Sequence, residues 1–339
     1  MNALGRRRSF RFAALLAVLI AAACNKTEPK HERQASVAPP PTVTAPPDAR
    51  APDPLVKSVW EEDGTRVEEW ELAPQEKPTT RLAVLLPKEA NKASAVKYPV
   101  VIALHGRGEA LKRPPEGALG WAKDYDLLRA IGRMSKPPLA PADFHGFVEP
   151  ARLQKMNEDL AARPYAGMIV VCPYLPDLDL RAGQEAGMQL YGDYLVQHVL
   201  PLVRSRLPAM SDAKGTGIDG VSLGGAVALY VGLGFPETFG SVGGLQPAIQ
   251  SADADLWAKR VQEARARNEH QSLRLLTSAK DYFREGIGRL SSTLRARKVA
   301  HEYLDVPGPH DYIFNKGPGS YELLYFHERG MRQAAKPAP

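Results

Sequence analysis

The stretch Gly217 to Tyr230, GIDGVSLGGAVALY, sets one serine among close glycines at a point where the sequence pattern changes. Before it, Gly215 to Val221 reads as a short buried strand. After it, the small-residue amphipathic segment Leu223 to Gly234 reads as a helix. Gly220-Val221-Ser222-Leu223-Gly224 satisfies G-x-S-x-G in the strand, turn and helix setting which that motif requires. At such an elbow the turn forces the serine into a strained backbone conformation. Side chains at the glycine positions would clash with it and with the helix packed behind. Ser222 is therefore the candidate nucleophile, and the competing reading is a serine that caps a helix.

Working outward, strand and helix patterns alternate. Ser58 to Leu72 and Thr80 to Leu86 read as antiparallel opening strands. Pro99 to Leu104 and Met168 to Val171 are short, continuously apolar runs, as expected of strands covered on both faces of a parallel sheet. The series continues through Gly215–Val221, Gly240–Leu245, Leu273–Ser278 and Glu302–Val306. Helical stretches lie at Gln189–Arg206, Leu223–Gly234, Asp253–Glu269, Gly286–Lys298 and Tyr321–Arg332. This alternation predicts an α/β fold, a mostly parallel doubly wound sheet with antiparallel opening strands and helices on both faces.

A serine hydroxyl needs a base, and the base needs an orienting acid, because an unactivated alcohol is scarcely nucleophilic near neutral pH. After the strand LRLLTS comes Ala279-Lys280-Asp281, an acid at a strand's carboxyl end, where the functional loops of such a sheet gather. After the strand HEYLDV comes Pro307-Gly308-Pro309-His310, a histidine in a loop shaped by glycine and proline. Asp281 and His310 are the candidate acid and base. Glu285 lies in the expected next helix, Asp305 inside a strand, and Asp311 beside the histidine. Of the other histidines, His198, His270 and His327 fall in or at the ends of helices, and His301 sits at the wrong end of its strand.

An oxyanion needs preorganised N–H donors. One is expected from the amide of Leu223, at the start of the helix after the elbow. The second is expected from the loop Leu104-His105-Gly106-Arg107-Gly108, with the Arg107 amide first and those of Gly106 and Gly108 as alternatives. His105 is then structural. The Arg107 side chain is open to a second reading, in which it holds an anionic substrate group.

The combination HGRG, GVSLGG, SAKDYFREG and VPGPHDY resembles the "Putative esterase" group of α/β-hydrolases, which includes esterase-D-like, enterochelin-esterase-like and feruloyl-esterase-like proteins. The likeness runs from about Leu82 to Arg329. It implies an α/β-hydrolase fold, a Ser222–His310–Asp281 triad and no metal or organic cofactor. Leucine at 223 replaces the methionine of many members. The proline-broken stretch at about 109–167 does not follow the group's pattern. It is expected to form a cap-like insertion over the site, carrying Trp121, Tyr125, Phe144 and Phe147.

The amino terminus stands apart from this domain. Arg6, Arg7, Arg8 and Arg11 precede the apolar run Phe12 to Ala23, which is too short to span a bilayer and ends in three alanines before Cys24. Residues 1–23 thus read as a signal peptide of the lipoprotein type, with Cys24 as the lipidated residue, although Ala21 stands where the pattern usually has leucine. Asn25 after the cysteine favours the outer membrane, so the protein is expected to be exported to a bacterial cell envelope and anchored by its lipid. Residues 24–54, rich in proline and alanine, read as a disordered tether, and 55–332 as the catalytic domain.

The formal net charge of +6 includes the signal's four arginines, which leaves about +2 for the rest. No nucleic-acid partner is implied. With Cys24 acylated, Cys172 has no cysteine to pair with, and its apolar setting, GMIVVCP, makes it a packing residue.

The expected activity is cleavage of a small-molecule carboxylic ester through an acyl-enzyme. Three other classes stay open: an acyltransferase, in which an alcohol replaces water; a serine peptidase, disfavoured because no propeller-sized domain precedes the catalytic part; and a membrane-tethered binding protein whose triad is incidental.

Overall fold

Among the described residues nine strands make one sheet in the order β1-β2-β3-β5-β4-β6-β7-β8-β9. They are β1 (Leu55–Glu62), β2 (Thr65–Glu71), β3 (Arg81–Pro87), β4 (Val100–Leu104), β5 (Ile169–Pro173), β6 (Thr216–Gly220), β7 (Ser241–Leu245), β8 (Ser272–Lys280) and β9 (Glu302–Pro309). The structure is a computed structural model, and it describes residues 53–72, 79–90, 96–181 and 183–334. The expected signal peptide, Cys24 and nearly all of the tether lie outside the described residues.

β1, β2 and β3 pair antiparallel, and β3 joins β5 antiparallel. From β5 to β9 every pairing is parallel. The expected first strand, Ser58 to Leu72, is in fact a hairpin. Its turn is Asp63-Gly64, both with positive φ (50° and 74°), and an Asp-Gly pair is the sequence most at ease in such a two-residue turn. The single-strand reading overlooked that pair. The other strands fall where the apolar runs predicted them, within a few residues.

β4 through β7 are buried along their whole length, which is why their sequences lack polar alternation. Alternate residues face opposite layers. Val100 and Ile102 join the core cluster that holds the helices Leu223–Gly234, Ala254–Arg267 and Arg284–Ala296. Val101 and Ala103 join the other, with the helices Leu127–Met134 and Ser320–Ala334. The chain winds from β4 to β5 on one side and then crosses to β6 on the other. In an open sheet the crevice for ligands forms at such a switch, outside the strands' carboxyl ends. Ser222 lies there.

Within 109–167 the aromatic side chains differ from the expectation of an overhanging cap. Trp121, Tyr125 and Phe144 are all but fully buried in the core cluster that covers β3, β4 and β5. The segment is the crossover from β4 to β5, and the sheet face it lies on needs apolar cover, so its largest rings turn inward. Phe147 is half-buried, near the backbone of Gly308. Among the described residues no helix is long and apolar enough to cross a membrane.

Candidate active site

Ser222 has φ 57° and ψ −116° and directly precedes the helix Leu223–Gly234. A side chain in that region of backbone space costs roughly 1–3 kcal/mol. The surroundings impose it: the Ser222 amide donates to Leu245 O at 2.9 Å, and its carbonyl accepts from Ala226 and Ala248, each at 3.0 Å. The glycines of the motif are required by close approach. A Cβ at Gly220 would stand 2.4 Å from Gly224 O, and one at Gly224 would stand 2.3 Å from His105 O.

The three residues expected from the sequence come together. His310 Nε2 is 3.0 Å from Ser222 Oγ, and His310 Nδ1 is 2.7 Å from Asp281 Oδ1. Asp281 also accepts from the Thr277 hydroxyl at 2.7 Å and from the Phe283 amide at 3.0 Å. Both Asp281 oxygens are therefore occupied, which restrains the carboxylate. The side chain of Asp281 is fully buried and that of His310 is 13 % exposed. The rings of Phe283 and Tyr282 flank the imidazole at 5.6 and 5.1 Å between centroids. The competing acids have other tasks: Asp311 caps the next turn by accepting from Ile313 and Phe314, and Asp305 pairs with Arg284.

The amides of Leu223 and Arg107 are each the first of a helical segment, where backbone donors have no intrahelical partner. Both residues line the same cleft as Ser222. The Gly106 amide, an alternative donor, is occupied: it donates to Tyr125 Oη at 3.1 Å. His105 is fully buried. Its Nε2 accepts from the Leu175 amide and its Nδ1–H donates to the Gly106 carbonyl, each at 2.9 Å. Burial holds its pKa below the ordinary value, and the Gly106 carbonyl works against that shift.

The cleft has a volume of about 730 Å³. Its far wall comes from Asp177 to Arg181, after β5, and from Ala248 to Asp253, after β7. The sequence reading passed over both segments. The Arg107 guanidinium is engaged there, donating to Asp177 at 2.8 and 3.1 Å. Sequence reading also missed Gln246, a fully buried residue whose Nε2 donates to Pro309 O at 2.8 Å. A polar residue just past an apolar strand was the only signal available.

A second Ser–His–Asp arrangement sits in the core. Ser241 Oγ is 3.0 Å from His327 Nδ1, and His327 Nε2 is 3.1 Å from Asp219 Oδ2, which Arg274 also contacts at 2.5 Å. Asp219, Arg274 and His327 have no exposed surface. No substrate can reach this set, whose bonds tie β6, β7 and β8 to the last helix. Cys172 is likewise fully buried on β5, and burial pushes its thiol pKa up. Among the described residues no group of three or more His, Cys, Asp or Glu side chains is placed to hold a metal ion.

The family model described as "Putative esterase" matches residues 144–284, a span that takes in Ser222 and Asp281 and stops short of His310. No curated protein matches the sequence. Solved structures share the fold. A ferulic acid esterase is 16% identical, with a TM-score of 0.53 over 78% of this chain and 93% of its own. An S-formylglutathione hydrolase from Agrobacterium tumefaciens is 16% identical, with a TM-score of 0.52 over 81% and 99%. A fluorophosphonate-binding serine hydrolase of Staphylococcus aureus is 13% identical, with a TM-score of 0.53 over 78% and 98%.

Proposed function

We propose that this chain, an α/β-hydrolase by fold with a "Putative esterase" match at its centre, is a serine carboxylic ester hydrolase working through an acyl-enzyme. The observation that carries the reading is the pair of contacts at His310, 3.0 Å to Ser222 Oγ on one side and 2.7 Å to Asp281 on the other, beside an open cleft.

In this reading His310 Nε2 takes the proton as Ser222 Oγ attacks the ester carbonyl. Asp281 keeps Nδ1 protonated and stabilises the imidazolium that forms. The carbonyl oxygen becomes an oxyanion between the amides of Leu223 and Arg107, a preorganised donor of this kind being worth about 3–4 kcal/mol. His310 then gives its proton to the leaving alkoxide, and the alcohol departs. Water, deprotonated by His310, attacks the acyl-enzyme, and the acid is released with Ser222 restored.

The names of the structural neighbours make feruloyl esters and S-formylglutathione the first substrates to try, beside p-nitrophenyl esters of increasing chain length. A fluorophosphonate probe should label the purified protein, and Ser222→Ala should lose both label and esterase activity. A folded protein that takes no label, or a Ser222→Ala variant that still hydrolyses esters, would overturn the proposal. Product analysis with an added alcohol distinguishes hydrolysis from acyl transfer.

The amino-terminal features support export and acylation at Cys24, which would put this activity at a membrane surface of the cell envelope. Metabolic labelling with a palmitate analogue, lost in Cys24→Ala, tests that part separately.

A further inference from the structure

We infer that Glu109 is a positioning residue that aims the Arg107 amide and couples the oxyanion loop to the loop of His310. The inference rests on the oxyanion role proposed above for Arg107.

Glu109 is 1 % exposed, yet its carboxylate is fully engaged. Oε2 accepts from the Tyr125 hydroxyl, and Oε1 accepts from the Tyr312 hydroxyl at 2.7 Å, with Lys112 Nζ at 3.6 Å. Burying a carboxylate is costly unless donors replace the lost water, and two phenols and an ammonium do so here. Burial and Glu109 together push the Tyr125 hydroxyl well above the usual phenol range, so it stays a donor.

The route to the site is short. Tyr125 Oη, turned by its bond to Glu109, accepts the Gly106 amide at 3.1 Å. The Gly106 carbonyl accepts from His105 Nδ1 at 2.9 Å. That carbonyl and the Arg107 N–H belong to one planar trans peptide, so fixing the direction of the first fixes the second. Glycine is the most permissive residue in the backbone, and Gly106 cannot aim the next amide by itself. It is gripped at both polar ends instead: the Glu109–Tyr125 pair holds its N–H, in the peptide before it, and His105 Nδ1 together with the Ala110 amide, at 3.3 Å, holds its carbonyl, in the peptide that carries the Arg107 N–H. On its other oxygen Glu109 holds Tyr312, two residues beyond His310 and 203 residues away in sequence. One buried carboxylate thus spans the loop that would stabilise the oxyanion and the loop that would supply the base.

The test uses the full chain with p-nitrophenyl acetate as substrate and an alkyl boronic acid, which forms a tetrahedral adduct on serine, as inhibitor. Tyr125→Phe and Glu109→Gln should lower kcat by about 10- to 100-fold with KM nearly unchanged. They should weaken the boronate by a similar factor, while circular dichroism stays close to wild type and the melting temperature falls only by the few degrees that one unpaired buried polar group accounts for. Glu109→Gln can still accept one phenol and should retain more activity than Glu109→Ala. If Glu109→Gln folds poorly, Tyr125→Phe, which deletes a single oxygen, decides alone. Wild-type kcat in Tyr125→Phe, or a lowered kcat with undiminished boronate affinity, overturns the inference. Survival of activity in Ser222→Ala would instead overturn the proposed function, so the two failures are distinguishable.

Discussion

Gln246 donates through Nε2 to the Pro309 carbonyl at 2.8 Å, and that carbonyl belongs to the peptide bond that leads into His310. The same nitrogen donates to Ser278 Oγ at 2.6 Å, and the Ser278 hydroxyl also reaches Pro309 O, at 3.2 Å. The backbone under the imidazole is therefore held from the ends of both β7 and β8. Gln246 adopts φ 45° to make the reach.

Removing that hold should displace His310, the proposed base, more than it weakens substrate binding. Gln246→Ala is expected to lower kcat by about 100-fold, the scale of a 1 Å misplacement, and to leave KM close to wild type. Losing one donor to a part-buried carbonyl that Ser278 still reaches should also cost about 0.5–1.5 kcal/mol of stability. Steady-state kinetics beside a denaturant melt checks both, and an unchanged kcat would refute the role.

Asp281→Asn keeps the shape of the side chain and removes its charge. The amide can present a donor where His310 Nδ1–H now finds an acceptor, favouring the unproductive tautomer. A fall in kcat on the order of 10⁴ is expected, with slow fluorophosphonate labelling of Ser222. Rate measurements and a labelling time course read the two effects, and near-normal turnover would count against Asp281.

Arg107 is assigned through its backbone, so its side chain should be dispensable for neutral esters. Arg107→Ala is expected to leave kcat on p-nitrophenyl acetate within a few-fold of wild type, because the amide survives and the lost guanidinium is a largely exposed partner of Asp177. Should the guanidinium serve an anionic substrate group, KM would rise selectively for esters bearing a carboxylate. Parallel assays of a neutral and an anionic ester distinguish the two roles.

Burial depresses the pKa of both His105 and His327, despite the Gly106 carbonyl near the first and Asp219 near the second. Each binds a proton less readily in the folded chain than in the unfolded chain, where protonation sets in near pH 6.5. Their neutral forms therefore contribute stability above about pH 6.5, and that contribution is lost as pH falls below it toward the depressed values. The melting temperature should decline from pH 7 to pH 5, and His327→Gln should flatten the decline. A slope unchanged by that substitution would show that other groups set the acid response.

Local chemistry made much of this molecule legible beforehand. The apolar runs of β4 to β7 declare strands covered on both faces, and Ser222, Asp281 and His310 each follow a strand directly. Features that depend on distant partners were not legible. Nothing near Glu109 announces Tyr312, and the alternating charged and apolar residues of Asp177–Arg181 read as readily as an exposed strand as they do as a cleft wall. Trp121 and Tyr125 have the same composition whether they roof a site or fill a core. The choice is made by the sheet face beneath them, which the sequence of that segment does not contain.

The backbone of Ser222 carries one more consequence. A residue wound into φ 57° and ψ −116° is spring-loaded, and the fold as a whole restrains it. Glycine would unload that spring by about 1–3 kcal/mol, offset by roughly 0.4–1 kcal/mol of added freedom in the unfolded chain. Ser222→Gly should accordingly melt higher than wild type, whereas Ser222→Ala, which keeps a Cβ in the same contortion, should not. Differential scanning calorimetry of the two variants would weigh how much robustness the chain forgoes to keep a hydroxyl aimed at its crevice.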